Sequence, residues 1–419
     1  MRKSLFTISV FFVMAAISAA PSQITVTSGE KVVTNGWADM GELAYAKDNV
    51  IVIDDATYTS VKRKLNAFTN AIASGNTKSS TVGDKPALII LSGTVDLSGG
   101  KVSDSDHSFF DKFDKISHER VNKDFVFDVG SNKTIIGVNN ARIAYGGLRI
   151  RADGRTVKNI IIRNITFWDA HGSTEYDTTI PQYMDEKASA DMISIEAKFP
   201  KGVYSKVPVP ENIWIDHCTF TDGVCVDLDR NYNHDGAIDI KAGKNITISF
   251  CEFTNHDKVT LIGASDSFVE PSEREITFHD NYYHGCVQRM PRTRGGYFHL
   301  YNNVFDDIGT KNNSGASLGP GKGAQFIVEN NFFGKHAGRI LRASDNSKST
   351  DATFYKIYAE GNSPELSASN TEGFMNHKVT EKPWQIPYNY TLKSAAETKS
   401  AVVSEAGSGA EVVVDGKKY

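Results

Sequence analysis

NIWIDHCTF, which begins at Asn212, recurs as NITISFCEF from Asn245, and this nine-residue pattern decides the fold. Related segments are EITFHDNYY from Glu275, YFHLYNNVF from Tyr297 and QFIVENNFF from Gln325. In each segment apolar residues recur two apart and an aromatic residue comes last, which is typical of a strand with one buried face. The chain therefore repeats one short β unit over much of its length.

Alignment of these segments places the same residue types in the same columns. The apolar column contains Ile213, Ile246, Ile276, Phe298 and Phe326, and a second column contains Cys218, Cys251, Asn281, Asn303 and Asn331. Neighbouring units are 33, 30, 22 and 28 residues apart, as a short unit with insertions would give. Such self-similarity predicts a solenoid, an all-β parallel β-helix whose equivalent side chains form ladders about 4.8 Å apart. Asn in the second column suits left-handed bends and can hydrogen-bond along its ladder.

A sandwich or barrel of short strands is the alternative fold, because such folds also place turns every 8–12 residues or so. They do not usually repeat one nine-residue pattern along the chain. Residues 60–73 instead have apolar side chains at helical spacing. We therefore predict a short N-terminal helix that caps the open end of the solenoid, where a terminal coil must hide its apolar face.

The beginning of the chain differs from the repeat. A basic start at Arg2-Lys3, an apolar run over Leu5–Ile17 and small residues before Pro21 predict a signal peptide over residues 1–20. Residues 21–419 are then predicted to form one secreted domain. No later run reaches the roughly 18 apolar residues of a membrane span, so no membrane association is predicted.

The net charge restricts the possible partners. The formal charge of −4 becomes −6 without Arg2 and Lys3, since −4 − 2 = −6. Bulk charge therefore does not favour a polyanion, and any polyanion site must be local. The basic cluster QRMPRTR, residues 288–294, lacks the interleaved aromatics that stack on bases, which argues against nucleic acid.

Carboxylates are concentrated near the middle of the repeat. In DGAIDIK, Ile238 and Ile240 are expected to point inward, which leaves Asp239 outside, while Asp235 lies at the entry turn. Asp191 opens the strand of the preceding coil. Carboxylates on one exposed edge repel each other unless a cation lies between them, and oxygen ligands suit Ca²⁺. Solvated turn aspartates are the alternative interpretation.

Basic side chains follow these carboxylates. Lys258 comes 19 residues after Asp239, about one coil later, and is expected on the same face. Arg289, Arg292 and Arg294 then lie within six residues. Like charges this close are unfavourable unless an anion meets them, and guanidinium groups bind carboxylates well. A surface lysine and a structural arginine network are the competing interpretations.

The histidines and cysteines of the chain allow more than one interpretation. The histidines, which are interpreted as turn or ladder residues, share no metal-ligand spacing: they are His217, His234, His256, His279 and His284. Cys218 and Cys251 are ladder neighbours within disulfide reach, yet free buried thiols are equally consistent with the pattern. A Cys225–Cys286 pair is also left open.

Several motifs occur together in one order: NIWIDHCTF, DGAIDIK, NHDK, LIGASD and QRMPRTR. In this the chain resembles the pectate lyase/pectin lyase family from about Ser131 to Asn331. The resemblance implies a right-handed parallel β-helix that is secreted and monomeric. It also implies polygalacturonate as the partner and β-elimination as the reaction.

The resemblance also implies a role for each charged residue of the middle coils. Asp191, Asp235 and Asp239 match the calcium ligands, Lys258, Arg292 and Arg294 match substrate-binding residues, and Arg289 matches the catalytic base. Retention of all three aspartates favours a pectate lyase over a pectin lyase acting on methylated pectin. A glycoside hydrolase on the same scaffold and a non-catalytic pectin-binding β-helix are competing functions.

Overall fold

The computed structural model describes residues 23–30, 32–40, 49–106, 125–170, 191–200, 206–224, 234–263, 266, 274–311, 315–343 and 353–419. The predicted signal peptide and Cys225 lie outside the described residues. Within them, no helix is both long enough and apolar enough to cross a membrane.

The apolar column of the repeat forms one continuous ladder. Each residue of this column pairs with the next one along the stack, in the order Ile213, Ile246, Ile276, Phe298 and Phe326. All five side chains are fully buried in the central core. The predicted columns and the parallel β-helix are therefore confirmed. Since each strand takes its hydrogen bonds from the coils on either side, the fold is held together by stacking.

Two runs of stacked strands are joined through the long strand Lys133–Ala144 into the largest described sheet. The first run contains Val50–Ile53, Ala87–Asp96, Lys133–Ala144, Lys158–Arg163, Glu211–Asp216, Gly243–Ser249, Arg274–His279, Gly296–Tyr301, Ala324–Glu329 and Lys356–Glu360. The second contains Thr166–Trp168, Thr219–Thr221, Glu252–Thr254, Tyr282–His284, Val304–Asp306 and Phe332–Phe333.

A separate stack, called the third face below, carries the charged motifs. Its first part contains Val126–Asp128, Gly147–Ala152, Ile193–Ala197, Ile238–Ile240, Leu261–Ile262 and Arg292–Thr293. Bridges from Gln288 to Ala316 and from Arg292 to Gly319 continue it. Its second part contains Ala316–Leu318, Arg339–Arg342 and Thr371–Glu372.

The predicted capping helix is present over Val61–Ile72. The Ser60 side chain accepts a hydrogen bond from the backbone N–H of Arg63 and so begins the helix. Phe68 and Ile72 are fully buried against the first strands of the stack. The helix therefore closes the apolar end of the solenoid, as expected from the sequence.

The C-terminal part of the chain runs back along the outside of the stack. It contains the 3₁₀ helix Phe374–Asn376, the helix Ala395–Glu405 and the strands Glu411–Val414 and Lys417–Lys418. Glu411–Val414 pairs in parallel with Gln23–Val26, so the two chain ends form a small sheet against the first run. This packing covers apolar side chains such as Trp214 on the outside of that run.

Side chains of the same type stack on one another in the interior of the solenoid. The aromatic residues that end each repeat stack in the order Phe167, Phe220, Phe253, Tyr283, Phe305 and Phe333. Their ring centroids are 4.8–5.0 Å apart, which matches the separation of neighbouring strands. Cys218 and Cys251 are buried free thiols, so no disulfide links this pair of coils.

Asparagines form a second buried ladder. Asn303 Oδ1 accepts hydrogen bonds from Asn281 N and Nδ2, while Asn303 Nδ2 donates to Asn331 Oδ1 at 2.9 Å. The left-handed backbone lies one residue earlier than predicted, at Asn302 and Asn330, both with φ 53°. The preceding residue makes the bend, which leaves the ladder asparagine to point inward and bond along the stack.

We predict that Asn303→Ala lowers the free energy of unfolding by about 2–4 kcal/mol, because it leaves several buried donors and acceptors without partners. Urea or guanidinium unfolding of both proteins measures this difference. Asn66→Ala, at an exposed position of the N-terminal helix, is the control and should change stability little. A loss below about 1 kcal/mol for Asn303→Ala would contradict the importance of the ladder.

Candidate active site

Two aspartates of adjacent coils converge on Gly236. The Gly236 N–H donates to Asp191 Oδ1 at 2.9 Å, and the Leu261 N–H donates to Asp239 Oδ1 at 3.0 Å. A Cβ atom added to Gly236 would lie 2.3 Å from Asp239 Oδ1 and 2.9 Å from Asp191 Oδ1. Glycine is therefore required between the two carboxylates, and Asp235 immediately precedes it.

The electrostatics of this group favour the binding of a cation. Burial, followed by the charges of Asp239 and Asp235, raises the pKa of Asp191 well above its usual value. Burial and the Asp235 charge raise the pKa of Asp239 to about 6. A divalent cation would relieve this repulsion, and the oxygen donors suit a hard ion such as Ca²⁺. The three side chains are therefore chemically suited to hold it.

Lys258 occupies the next coil, beside these carboxylates. It forms a parallel bridge with Gly236, and Lys258 Nζ lies 2.5 Å from Asp235 Oδ1. The lysine side chain is 4% exposed and that of Asp235 is 30% exposed. Asp235 faces Lys258, and among the described residues no three or more Asp, Glu, His or Cys side chains are arranged as a metal-binding group. The structure thus places Lys258 where its spacing predicted.

Arg289 lies on the following coil and faces the same group. Its backbone is left-handed, with φ 65°, and its carbonyl accepts a hydrogen bond from Thr260 N at 2.7 Å. The Nε atom is buried without a hydrogen-bond partner among the described residues. The Arg289 charge lowers the pKa of Asp239, although burial and Asp235 outweigh it. A fixed backbone and an unused donor suit a residue that acts on a ligand.

The other two predicted arginines lie farther along the same coil. Arg292 pairs with Leu261, which places it in the Asp239 ladder. Arg294 is held in place, since its Nε lies 2.8 Å from Asp266 Oδ1 and its Nη1 donates to Gly263 O. The structure therefore groups the aspartates, Lys258 and Arg289 closely, and places Arg294 against its own carboxylate partner.

Two buried histidine–aspartate pairs support the turns of the site, and the sequence analysis interpreted their histidines only as turn or ladder residues. His234 Nε2 lies 2.8 Å from Asp169 Oδ1, and His256 Nδ1 lies 2.5 Å from Asp222 Oδ1. His234 directly precedes Asp235, and His256 lies two residues before Lys258. The sequence does carry a signal, because the tripeptide Asn-His-Asp occurs at both 233–235 and 255–257. These pairs fix the backbone from which Asp235 and Lys258 project.

The His256–Asp222 pair has a defined charge preference. Burial alone would lower the pKa of His256, but the charge and hydrogen bond of Asp222 raise it above the usual value. Both side chains are essentially inaccessible to solvent. The imidazolium form therefore contributes a buried ion pair beneath the turn of Lys258.

Comparison with known proteins gives consistent matches. A family model described as Pectate lyase matches residues 30–411. A pectate trisaccharide-lyase of Thermotoga maritima is 38% identical over 180 residues, which cover 42% of this chain and 40% of that protein. A pectate lyase of Bacillus subtilis is 30% identical over 301 residues, 67% of this chain and 65% of that protein. The chain thus spans less than two thirds of either relative.

One similar solved structure is a pectate lyase bound to a hexasaccharide, with a TM-score of 0.64 and 23% identity. The match covers 91% of this chain and 98% of that chain. At this level of identity the likeness concerns the fold, and it supports the parallel β-helix.

We predict that His256→Gln destabilises the protein by at least about 2 kcal/mol at pH 6, because it leaves Asp222 buried without its cation. The raised pKa of His256 means that its stabilisation is complete below the unfolded-state pKa and is lost as pH rises through the folded-state pKa. The difference in unfolding free energy between the wild type and the variant should therefore shrink by pH 9.

Denaturant titrations at pH 6 and pH 9 measure this effect. His284→Gln is the matched control, since His284 pairs with Glu252 at a more exposed position. An equal destabilisation by His256→Gln at both pH values would rule out the imidazolium form.

Proposed function

We propose, from the premise that this chain belongs to the pectate lyase family, that it is a secreted, calcium-dependent pectate lyase. It cleaves α-1,4-linked polygalacturonate by β-elimination and releases 4,5-unsaturated oligogalacturonides. The observation that supports this most is the approach of Asp191 and Asp239 to Gly236, next to Asp235, Lys258 and Arg289 on one face of the stack. The names of the relatives support this substrate class.

The substrate carries one carboxylate on every sugar, which explains why both charge signs are needed. Asp191, Asp235 and Asp239 would hold Ca²⁺, which when bound neutralises the uronate carboxylate and makes the C5 proton more acidic. Lys258 has three N–H donors, of which Asp235 takes one. Arg292 and Arg294 extend the cationic surface and bind neighbouring carboxylates. Because the protein as a whole is acidic, the attraction of the polyanionic substrate is confined to this part of the surface.

Arg289 is assigned as the base. It removes the proton from C5, the C5–H electron pair forms the C4=C5 double bond, and the bond from C4 to the leaving oxygen breaks. A proton delivered to that oxygen completes the reaction. Free guanidinium has a pKa above about 12, so a role for Arg289 as the base predicts activity that increases towards alkaline pH.

Export and assembly state belong to the same proposal. Residues 1–20 have the charge and hydropathy pattern of a signal peptide, which fits an enzyme whose polymeric substrate lies outside the cell. As the resemblance to the family implies, the proposal includes a monomeric protein.

We predict that a chelator abolishes the formation of unsaturated product from polygalacturonate, and that added Ca²⁺ restores it. Asp239→Ala should lose activity at low Ca²⁺, because one of the three oxygen ligands is removed. Ultraviolet absorbance of the conjugated product measures the rate on polygalacturonate and on methylated pectin, with and without chelator.

The control for this substitution is Asp128→Ala, in the same ladder and paired with Arg149 instead. Full activity in chelator with a preference for methylated pectin would identify a pectin lyase. Saturated products would identify a hydrolase, and binding without product would identify a non-catalytic module.

We predict that Arg289→Lys folds, binds oligogalacturonate and loses most of its turnover. Lysine keeps the charge but not the planar fork or the reach of arginine, and removal of a general base costs about 10²–10⁴ in rate. Initial rates across pH, with affinity measured separately, provide the test. Arg149→Lys, on the same face and paired with Asp128, is the control. Near-normal turnover with an unshifted pH profile would exclude Arg289 as the base.

A further inference from the structure

The third face continues for two coils beyond the reactive group. Gly236 bridges Lys258, Lys258 bridges Gln288, Gln288 bridges Ala316, and Ala316 pairs with Arg339. With a rise of about 4.8 Å per coil, Arg339 lies about 10 Å beyond the coil of Gln288 and Arg289. One column of the stack therefore begins at the carboxylate group and ends at an arginine that the proposed reaction does not use.

Arg339 differs from other arginines of this face in its partners. Arg149 pairs with Asp128, Arg294 with Asp266, and Arg342 with Glu372. Arg339 is exposed, and it forms no ion pair with any residue that the structure describes. Its Nη1 atom donates to the backbone oxygen of Ser369 at 2.5 Å. A carbonyl thus orients the guanidinium, and no carboxylate of the described residues neutralises its charge, which suits an anion-binding residue.

Small residues separate Arg339 from the reactive group. The intervening coil has Ala316 in the Arg339 column and Gly319 beside Arg292. A Cβ atom on Gly319 would lie 3.3 Å from Arg292 Cα and Cβ, so a larger residue would press on that arginine. The surface between Arg292 and Arg339 therefore carries only small side chains in these two columns, which leaves room for a ligand to lie across it.

An extended polyuronate matches this arrangement. Each sugar carries one carboxylate, and the length of one pyranose unit is close to the rise of one coil. A chain that lies along the stack would therefore place about one sugar on each coil. A carboxylate two units from the sugar at Arg289 would then reach Arg339. A chain that crosses the face instead would pass Arg339 at a distance.

We propose that Arg339 is a further uronate-binding residue, which engages the substrate about two sugars from the reacting unit and sets a preference for longer chains. The inference rests on the proposed lyase function. Arg339 touches no reacting atom, so its contact is equal in the ground state and the transition state. Its loss should raise KM on long substrates and leave kcat nearly unchanged.

The test compares the wild type with Arg339→Ala and Arg339→Lys on unsubstituted oligogalacturonates of three to eight units, with Ca²⁺ present. The expected result is a loss of about three- to tenfold in kcat/KM on the longest substrates, as for one charge-assisted contact. Little loss is expected on the shortest substrate, and Arg339→Lys should fall in between. Arg342→Ala, on the same strand and paired with Glu372, is the matched control.

The possible outcomes separate this inference from the proposed function. An active wild type with the same chain-length dependence in Arg339→Ala overturns the role of Arg339 alone. An equal loss on every length also overturns it, because that result indicates a structural role through Ser369. Thermal unfolding of each variant checks folding, and Arg339→Lys keeps the test valid if Arg339→Ala unfolds. A wild type that forms no unsaturated product removes both proposals together.

Discussion

Parallel pairing between coils is the interaction on which the rest of this structure depends. Each inner strand forms its backbone hydrogen bonds with the strands of the coils before and after it, so no coil is stable alone. The register is held by columns that alternate inward and outward, such as Ile213, Ile246 and Ile276. A slip of one residue would turn each buried column towards solvent, and the repeat therefore tolerates insertions only between strands.

The same stacking brings the charged residues together. Asp191 and Asp239 are 48 positions apart in the chain, yet both carboxylates approach Gly236. They come together because they belong to neighbouring coils of the stack. Their burial and mutual repulsion are unfavourable, as the raised pKa values of both groups indicate. The apolar ladders of the core must offset this free energy. The site is thus a strained arrangement that a cation would relieve, mounted on a scaffold stabilised elsewhere.

The sequence predicted those features that repeat, and it missed those that depend on individual side-chain paths. The apolar column, the capping helix and the position of Lys258 beside the carboxylates follow from period and spacing. The Asp266 partner of Arg294 could not be predicted, because it depends on the path of an insertion. The His256–Asp222 pair joins different coils, and nothing in the spacing alone distinguishes a buried ion pair from a turn histidine.

The charges along the third face follow an order that suits a polyanionic chain. Towards the N-terminal end, Arg149 and Arg151 both lie near Asp128, and Arg149 also lies near Glu196, so that part of the face is close to neutral. The aspartate group comes next, and the arginines of the following coils carry the positive charge. In a protein of formal net charge −4, an anion is attracted only where such groups are concentrated. The proposed polyuronate substrate would therefore be attracted to one part of one face, where the carboxylate group that would hold a cation adjoins the proposed base.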